Sequence, residues 1–262
     1  MAAAATQAAA GMRRVAAKMA TMETLQRYAV VSCHVERPLD DAVWAAFERL
    51  LTRRPAGFVV TPLLRPPDAA SGEDEEVWLR RARRAAELAP FGHHTHWGGV
   101  SQARPVGAVD AAAHVQREAE WLRGHGLEPG YFCGGGWYLD APLAEVLAGF
   151  GYVDLTATTF RQSYLADDAP RLQLAGPSRV GLPSGRTLLE LPATHSVGML
   201  ARGLLRLDGL VHLHFHDWEL VDRKRSAVLY ALLHALRLRR SPLRVDELAE
   251  RAAGAPRVTI GS

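Results

Sequence analysis

The sequence predicts an α/β protein with parallel strands and outer helices, curled into a (β/α) barrel. Strand-like and helix-like hydrophobic periods alternate along most of the chain, the pattern of repeated β-α-β units. Polar residues recur at the C-terminal ends of several different strands, as at a barrel mouth, where separate strands each contribute working groups. No Gly-x-Gly-x-x-Gly follows the first strand, which argues against an open dinucleotide-binding sheet.

The elements follow in order. Residues 1–26 are Ala-rich, lack Asp or Glu before Glu23, and have Arg13, Arg14 and Lys18 breaking any apolar run. A secretory signal is not expected there. The stretch reads as a disordered or weakly helical extension, with an amphipathic targeting peptide as the alternative, Met12, Met19 and Met22 as alternative starts and one barrel domain over 27–262. YAVVSC is the first strand, and DDAVWAAFERLLTRR is an amphipathic helix with Asp40 or Asp41 at its start. GFVVTPLL is the second strand, followed by a Pro/Gly/Asp loop and the helix VWLRRARRAAELA. FGHHTHW, the helix DAAAHVQREAEWLRGHG ended by Gly126, YFCGGGW and the helix APLAEVLAGFG continue the alternation. Strands YVDLTAT and TLLELPATH, helix SVGMLARGLLR, strand LVHLHFHDW and helix RKRSAVLYALLHALRLRR complete it.

Composition narrows the function classes. The 262 residues are 48% hydrophobic and 23% charged, which suits a globular fold with a substantial core. Lys+Arg 31 against Asp+Glu 28 leaves +3, and the basic residues are scattered, so no nucleic-acid partner is expected. Two cysteines are too few for a disulfide scaffold and fit a reducing, cytoplasmic setting. No apolar run approaches the roughly 20 residues of a membrane span, so no membrane partner is expected. Oligomeric state has no signal.

Three strand-like segments place ionisable side chains two residues apart: His34 and Glu36, His94 and His96, and His212, His214 and His216. Alternation along a strand projects such pairs to one face, so the segments can aim imidazoles and a carboxylate into one space. Histidine binds zinc as a neutral ligand and moves protons near neutral pH, so the pattern points to a metal-assisted site. His94 and His96 are the first nitrogen ligands, with Glu36 as the nearest carboxylate and a divalent ion, zinc, as the expected cofactor.

These segments fall in an order that resembles the polysaccharide deacetylase family, the carbohydrate esterase family 4 superfamily. SCHVE resembles its acidic first motif, LAPFGHHTHW its metal histidines and YFCGGGWYLD its third motif. GYVDLTAT is similar to its Asp-bearing segment, and HFHDWEL to the last motif, which ends in a catalytic His. The resemblance implies a distorted (β/α) barrel with fewer than eight strands and a metal-dependent hydrolase that removes an acyl group from an N-acylated sugar or related amide. The implied partner is a carbohydrate or small-molecule substrate. His216 is then the general acid, and backbone N–H groups near Gly135 and Gly136 are candidates to stabilise the oxyanion.

The chain departs from that pattern. Of the first motif's acidic pair only Glu36 is acidic, the metal histidines are closer together than usual, and Cys133 stands where the family has an Arg. His34 becomes the candidate base, or a fourth ligand, facing Cys133. Cys133 itself stays open between thiolate ligand, nucleophile and small buried hydrophobe. Asp217 could orient His216 or a ligand, or pair with a surface Arg. His195 could touch substrate or cap Ser196, and Asp154 enters only through the resemblance. Trp137, Tyr138 and Trp218 could wall a sugar ring or simply pack. His212 and His214 are expected to fill the interior, and His93 to pack or hydrogen-bond on the opposite face. Two alternatives to the deacetylase-like hydrolase stand: a barrel that binds carbohydrate or a regulatory ligand without hydrolysis, and a Cys133-dependent hydrolase.

Overall fold

The computed structural model describes residues 25–99, 101–105, 110–161 and 170–259. The Ala-rich extension lies, through residue 24, outside them. β1 (Tyr28–Val35) leads to α1 (Asp41–Arg53), β2 (Val60–Leu64), α2 (Glu75–Leu88), β3 (Gly92–Thr95), α3 (Ala111–Gly124), β4 (Tyr131–Gly134), α4 (Ala141–Phe150) and β5 (Val153–Asp154). β6 (Ser178–Gly181), β7 (Thr187–Glu190), β8 (His195–Ser196), α5 (Val197–Gly203) and β9 (Val211–His216) follow. α6 (Arg223–Arg237), β10 (Ser241–Pro242), α7 (Val245–Arg251) and β11 (Arg257–Thr259) end the described chain.

Local chemistry explains the helices. Asp40 caps α1 by accepting from the N–H groups of Ala42 and Val43, and Val43, Phe47, Leu50 and Leu51 recur on its buried face. Asp74, Asp110, Asp140 and Asp222 cap α2, α3, α4 and α6 in the same way. Among the described residues no helix is long and apolar enough to cross a membrane.

The strands form one mainly parallel sheet in the order β11-β6-β7-β5-β4-β3-β2-β1-β9-β8, with β10 against β1. β1 is buried on both faces, as a central parallel strand must be. Its Val31, Cys33 and Val35 meet Phe47, Leu50 and Trp78 of the helices, while Val30 joins Leu63, Cys133, Leu155 and Leu191 inside the curl. Leu243, Val245 and Leu248 join that interior from the end where β1 begins, because β10 pairs with Tyr28 and Ala29.

No ladder closes the ring among the described residues, but one chain segment spans the gap. Leu189 of β7 pairs with Val153 of β5, and His195 of β8 pairs with Leu213 of β9. Between them Leu191 N donates to Asp154 O at 2.8 Å, Ala193 N to Ala157 O at 2.8 Å and Thr194 N to His212 O at 3.0 Å. Pro192, which has no N–H to donate, splits the predicted strand TLLELPATH in two. The predicted strand YVDLTAT keeps a regular ladder only at Val153–Asp154.

The expectation of uniformly parallel strands needs one correction. β6 runs antiparallel to β7 as a hairpin, turned by Leu182 to Arg186 with Gly185 at φ 84°. The Pro-Ser-Gly turn was present in the sequence as a signal. β6, β10, α7 and β11 were not expected.

Candidate metal centre

Strand alternation assembles the site. β1 brings His34 inward and Glu36 just beyond its end, β3 brings His94 and, past its end, His96, and β9 ends on His216. Glu36 Oε1 lies 3.4 Å from His96 Nε2, 3.6 Å from His216 Nε2 and 4.0 Å from His94 Nε2. Ligand atoms of Glu36, His94 and His96 all lie within 4.8 Å of one another. One divalent ion can bridge that span, since metal-nitrogen and metal-oxygen bonds are about 2.0–2.2 Å.

The donor set fits a metal. His94 Nδ1 donates to the Cys133 carbonyl at 2.8 Å, and because a carbonyl only accepts, Nδ1 must carry the proton. That leaves Nε2 as a lone-pair donor, buried and without a hydrogen-bond partner. A backbone carbonyl holding the far nitrogen is the usual way an imidazole is aimed at a metal. Burial, with His96 beside it, pushes His94 down to about 3, so the ring is neutral as a ligand requires. Burial works against the Glu36 charge, but the His96 hydrogen bond and the neighbouring imidazoles outweigh it and hold the carboxyl at about 2.

β3 is braced from behind. His93 and Thr95 point away from the interior, and Glu118 of α3 accepts from His93 Nε2 at 2.9 Å and from Thr95 Oγ1 at 2.5 Å. His114 Nε2 lies 3.2 Å from Glu118 and 3.1 Å from the His96 carbonyl. The expected hydrogen-bonding role of His93 is therefore met by a residue that sequence reasoning did not single out. The signal was His114 and Glu118 at i, i+4 on one helix.

His216 differs from the buried histidines. Its side chain is 29% exposed, its Nδ1 lies 3.3 Å from Glu219, and it stacks on Trp218 at 5.6 Å. Burial lowers it, but the Glu219 hydrogen bond and the charges of Glu36, Glu219 and Asp217 prevail and raise it above the ordinary histidine value. Glu219, three residues on, was missed, and Asp217 needs correction. Asp217 is fully buried and accepts from Arg37 N at 2.8 Å and Trp218 N at 2.9 Å, so it holds backbone rather than a surface Arg.

Beneath the Glu36 cluster lies a second layer. His34 stacks on His94 at 4.6 Å and on His214 at 5.7 Å, and His34 Nε2 is 3.4 Å from Cys133 Sγ. Trp137 packs over His34 and His214 at 5.5 and 4.8 Å. Burial drives the Cys133 thiol well above its ordinary value and His34 well below its own. That thiol is poorly suited to attack as a thiolate. His212, bonded to Ser32 at 2.9 Å and Leu191 O at 3.1 Å, and His214 fill the interior.

Other candidates lie apart from the cluster. Gly135 and Gly136 form a tight turn in which a Cβ on Gly135 would collide with the Thr95 and Ala103 carbonyls. Gly136 and Trp137 have φ of 63° and 62°. The Tyr138 hydroxyl donates to Asp140, the cap of α4. Asp154 is a correction: it pairs with Phe132, not Cys133, so parity turns it away from the interior against Glu190. Asp154 instead accepts from Thr156 Oγ1 at 2.6 Å, and Thr156 Oγ1 accepts from Gly134 N at 2.7 Å. His195 bonds Thr194 Oγ1 at 2.7 Å and lines a separate cavity of about 170 Å³, while Ser196 itself caps α5.

No family model and no curated protein matches this chain. Solved structures do. A 4-alpha-glucanotransferase from Thermococcus litoralis is similar at TM-score 0.58 and 12% identity, covering 90% of this chain and 42% of that one. A family 4 carbohydrate esterase from Streptomyces lividans, solved with acetate, has TM-score 0.43 and 14% identity over 87% of this chain and 91% of its own. A Bordetella bronchiseptica protein assigned as a polysaccharide deacetylase of O-antigen biosynthesis has TM-score 0.48 and 12% identity, over 88% and 93%. At these identities the likeness is one of fold. This chain spans about two fifths of the glucanotransferase, 42% of its length.

Proposed function

We propose that this protein is a metal-dependent hydrolase of the deacetylase type, removing an acyl group from an N-acylated sugar or related amide. The observation that carries the reading is Glu36 Oε1 within 3.4 to 4.0 Å of three imidazoles, two buried and one, His216, reaching solvent. Glu36, His94 and His96 would hold a divalent ion, and a nitrogen-oxygen set of this kind suits zinc. When bound, such an ion supplies Lewis-acid polarisation of the acyl carbonyl. His216, whose hold on a proton Glu219 strengthens, gives its Nε2 proton to the departing amine. A cavity of about 360 Å³ adjoins His96 on the side of His114 and Glu118, and Glu36, His94 and His216 do not line it.

One observation favours a second reading, a barrel that binds carbohydrate without hydrolysis. His34, the candidate base, is buried with Nε2 on the Cys133 thiol. Elemental analysis of protein purified without added metal, paired with acetate release from an N-acetylated sugar oligomer, separates the two. The hydrolase reading expects about one ion per chain, lost in His94→Ala, and acetate released only by the loaded protein. A metal-free protein that binds the oligomer without cleaving it would establish the second reading.

A further inference from the structure

We propose that the interior holds an alternative, deeper metal seat for a thiophilic ion, formed by His34 Nε2, Cys133 Sγ and His94 beneath Trp137. The ligand atoms of these three residues lie within 4.8 Å of one another. His34 Nε2 and Cys133 Sγ are 3.4 Å apart. Two ligands on one tetrahedral zinc-like ion stand about 3.3–3.7 Å apart, given bonds of about 2.0–2.1 Å to nitrogen and 2.3 Å to sulfur. Exposure is 5% at His34, 1% at His94 and 0% at Cys133, so the three donors are closed off from bulk solvent and held by packing.

His94 is the independent pointer. Its Nε2 is buried without a hydrogen-bond partner, a costly state for a polar atom unless something binds it. Nδ1 is already given to the Cys133 carbonyl, so Nε2 is the one nitrogen His94 can offer a metal, and both sets draw on it. Filling one seat therefore empties the other. The upper set carries a carboxylate and suits zinc or harder ions, while the lower carries sulfur and suits cadmium, copper(I) or zinc. Binding below forms a metal-sulfur bond and releases the Cys133 thiol proton to solvent, with no change of oxidation state. The seat differs from the upper set in its donors, since His34 and Cys133 take the places of Glu36 and His96.

The test titrates the metal-free full chain with cadmium and follows the thiolate-to-cadmium charge-transfer absorption. The band is expected in the parent and in His96→Ala, which removes the upper seat, and is expected to vanish in Cys133→Ser. Survival of the band in Cys133→Ser would assign it to Cys33, the other free cysteine, and overturn the proposal. Absence of the band in the parent overturns it without any variant, so a Cys133→Ser chain that fails to fold does not shelter it. Failure of the hydrolase reading shows separately, as no acetate released from the N-acetylated sugar oligomer by the zinc-loaded parent.

Discussion

At the scale of single residues, the two nitrogens of one ring divide the labour. The Cys133 carbonyl holds His94 Nδ1, and everything the centre can bind depends on what then faces Nε2. His216 is set the other way, toward carrying a proton. Its folded value lies above the ordinary one, so the folded state holds the proton more tightly. Any stability it contributes is complete below the unfolded value and is lost as pH rises through the raised folded value. Acting as an acid, it should give turnover that falls on the alkaline side of the ordinary histidine range. His216→Gln is expected to retain metal, slow turnover by about a hundredfold and abolish that alkaline limb; an unaltered pH profile removes His216 from the mechanism. Glu118 has the opposite sign. Burial raises it, the His114 and His93 hydrogen bonds overcome burial, and it is held at about 2. Its contribution is present above the unfolded value of about 4.5 and lost as pH falls toward 2. Glu118→Gln should cost roughly 2 kcal/mol in urea unfolding, and the cost should shrink at low pH.

At the scale of elements, the Gly134–Trp137 turn is the clearest example of sequence serving position. Thr156 anchors Gly134, and Asp154 in turn anchors Thr156, so a carboxylate outside the interior sets a turn that lays Trp137 across His34. Gly135 passes between the Thr95 and Ala103 carbonyls, and neither is a flexible side chain that can yield. Gly135→Ala should therefore destabilise the fold by about 1–3 kcal/mol and disturb Trp137, read by urea unfolding and tryptophan emission. A wild-type emission spectrum and midpoint would show that the turn tolerates the added carbon. The glycines were legible as a turn that would let a substrate approach the main chain. That the Thr95 and Ala103 carbonyls approach it, and that it positions Trp137, was not, because those partners come from β3 and from residue 103, both distant in sequence.

At the scale of the molecule, the curl depends on two features that periodicity could not supply. One is the segment from β7 to β8, which joins β5 to β9 across Pro192. The other is α7, which seals the interior with Leu248 against the layer of Val30 and Leu63. Leu248→Ala should lower the unfolding free energy by about 2–5 kcal/mol, as expected for a fully buried leucine, and a loss under 1 kcal/mol would mean the interior is closed by other means. Seven residues with one short turn of apolar spacing give little signal, which is why α7 escaped notice.

The order of strands and helices, the parallel sheet, the capping aspartates and the pairing of His34 with Glu36 and His94 with His96 were all determined by local rules, since a period of two or of 3.6 residues is written in neighbouring positions. Which carboxylate turned inward was another matter. Glu36 reached the centre and Asp154 did not, because inter-strand register decides parity, and register is settled by contacts between segments far apart in sequence. The same holds for Glu118, Glu219 and the Cys133 carbonyl: each acts on a histidine through a distance that exists only once the chain has folded.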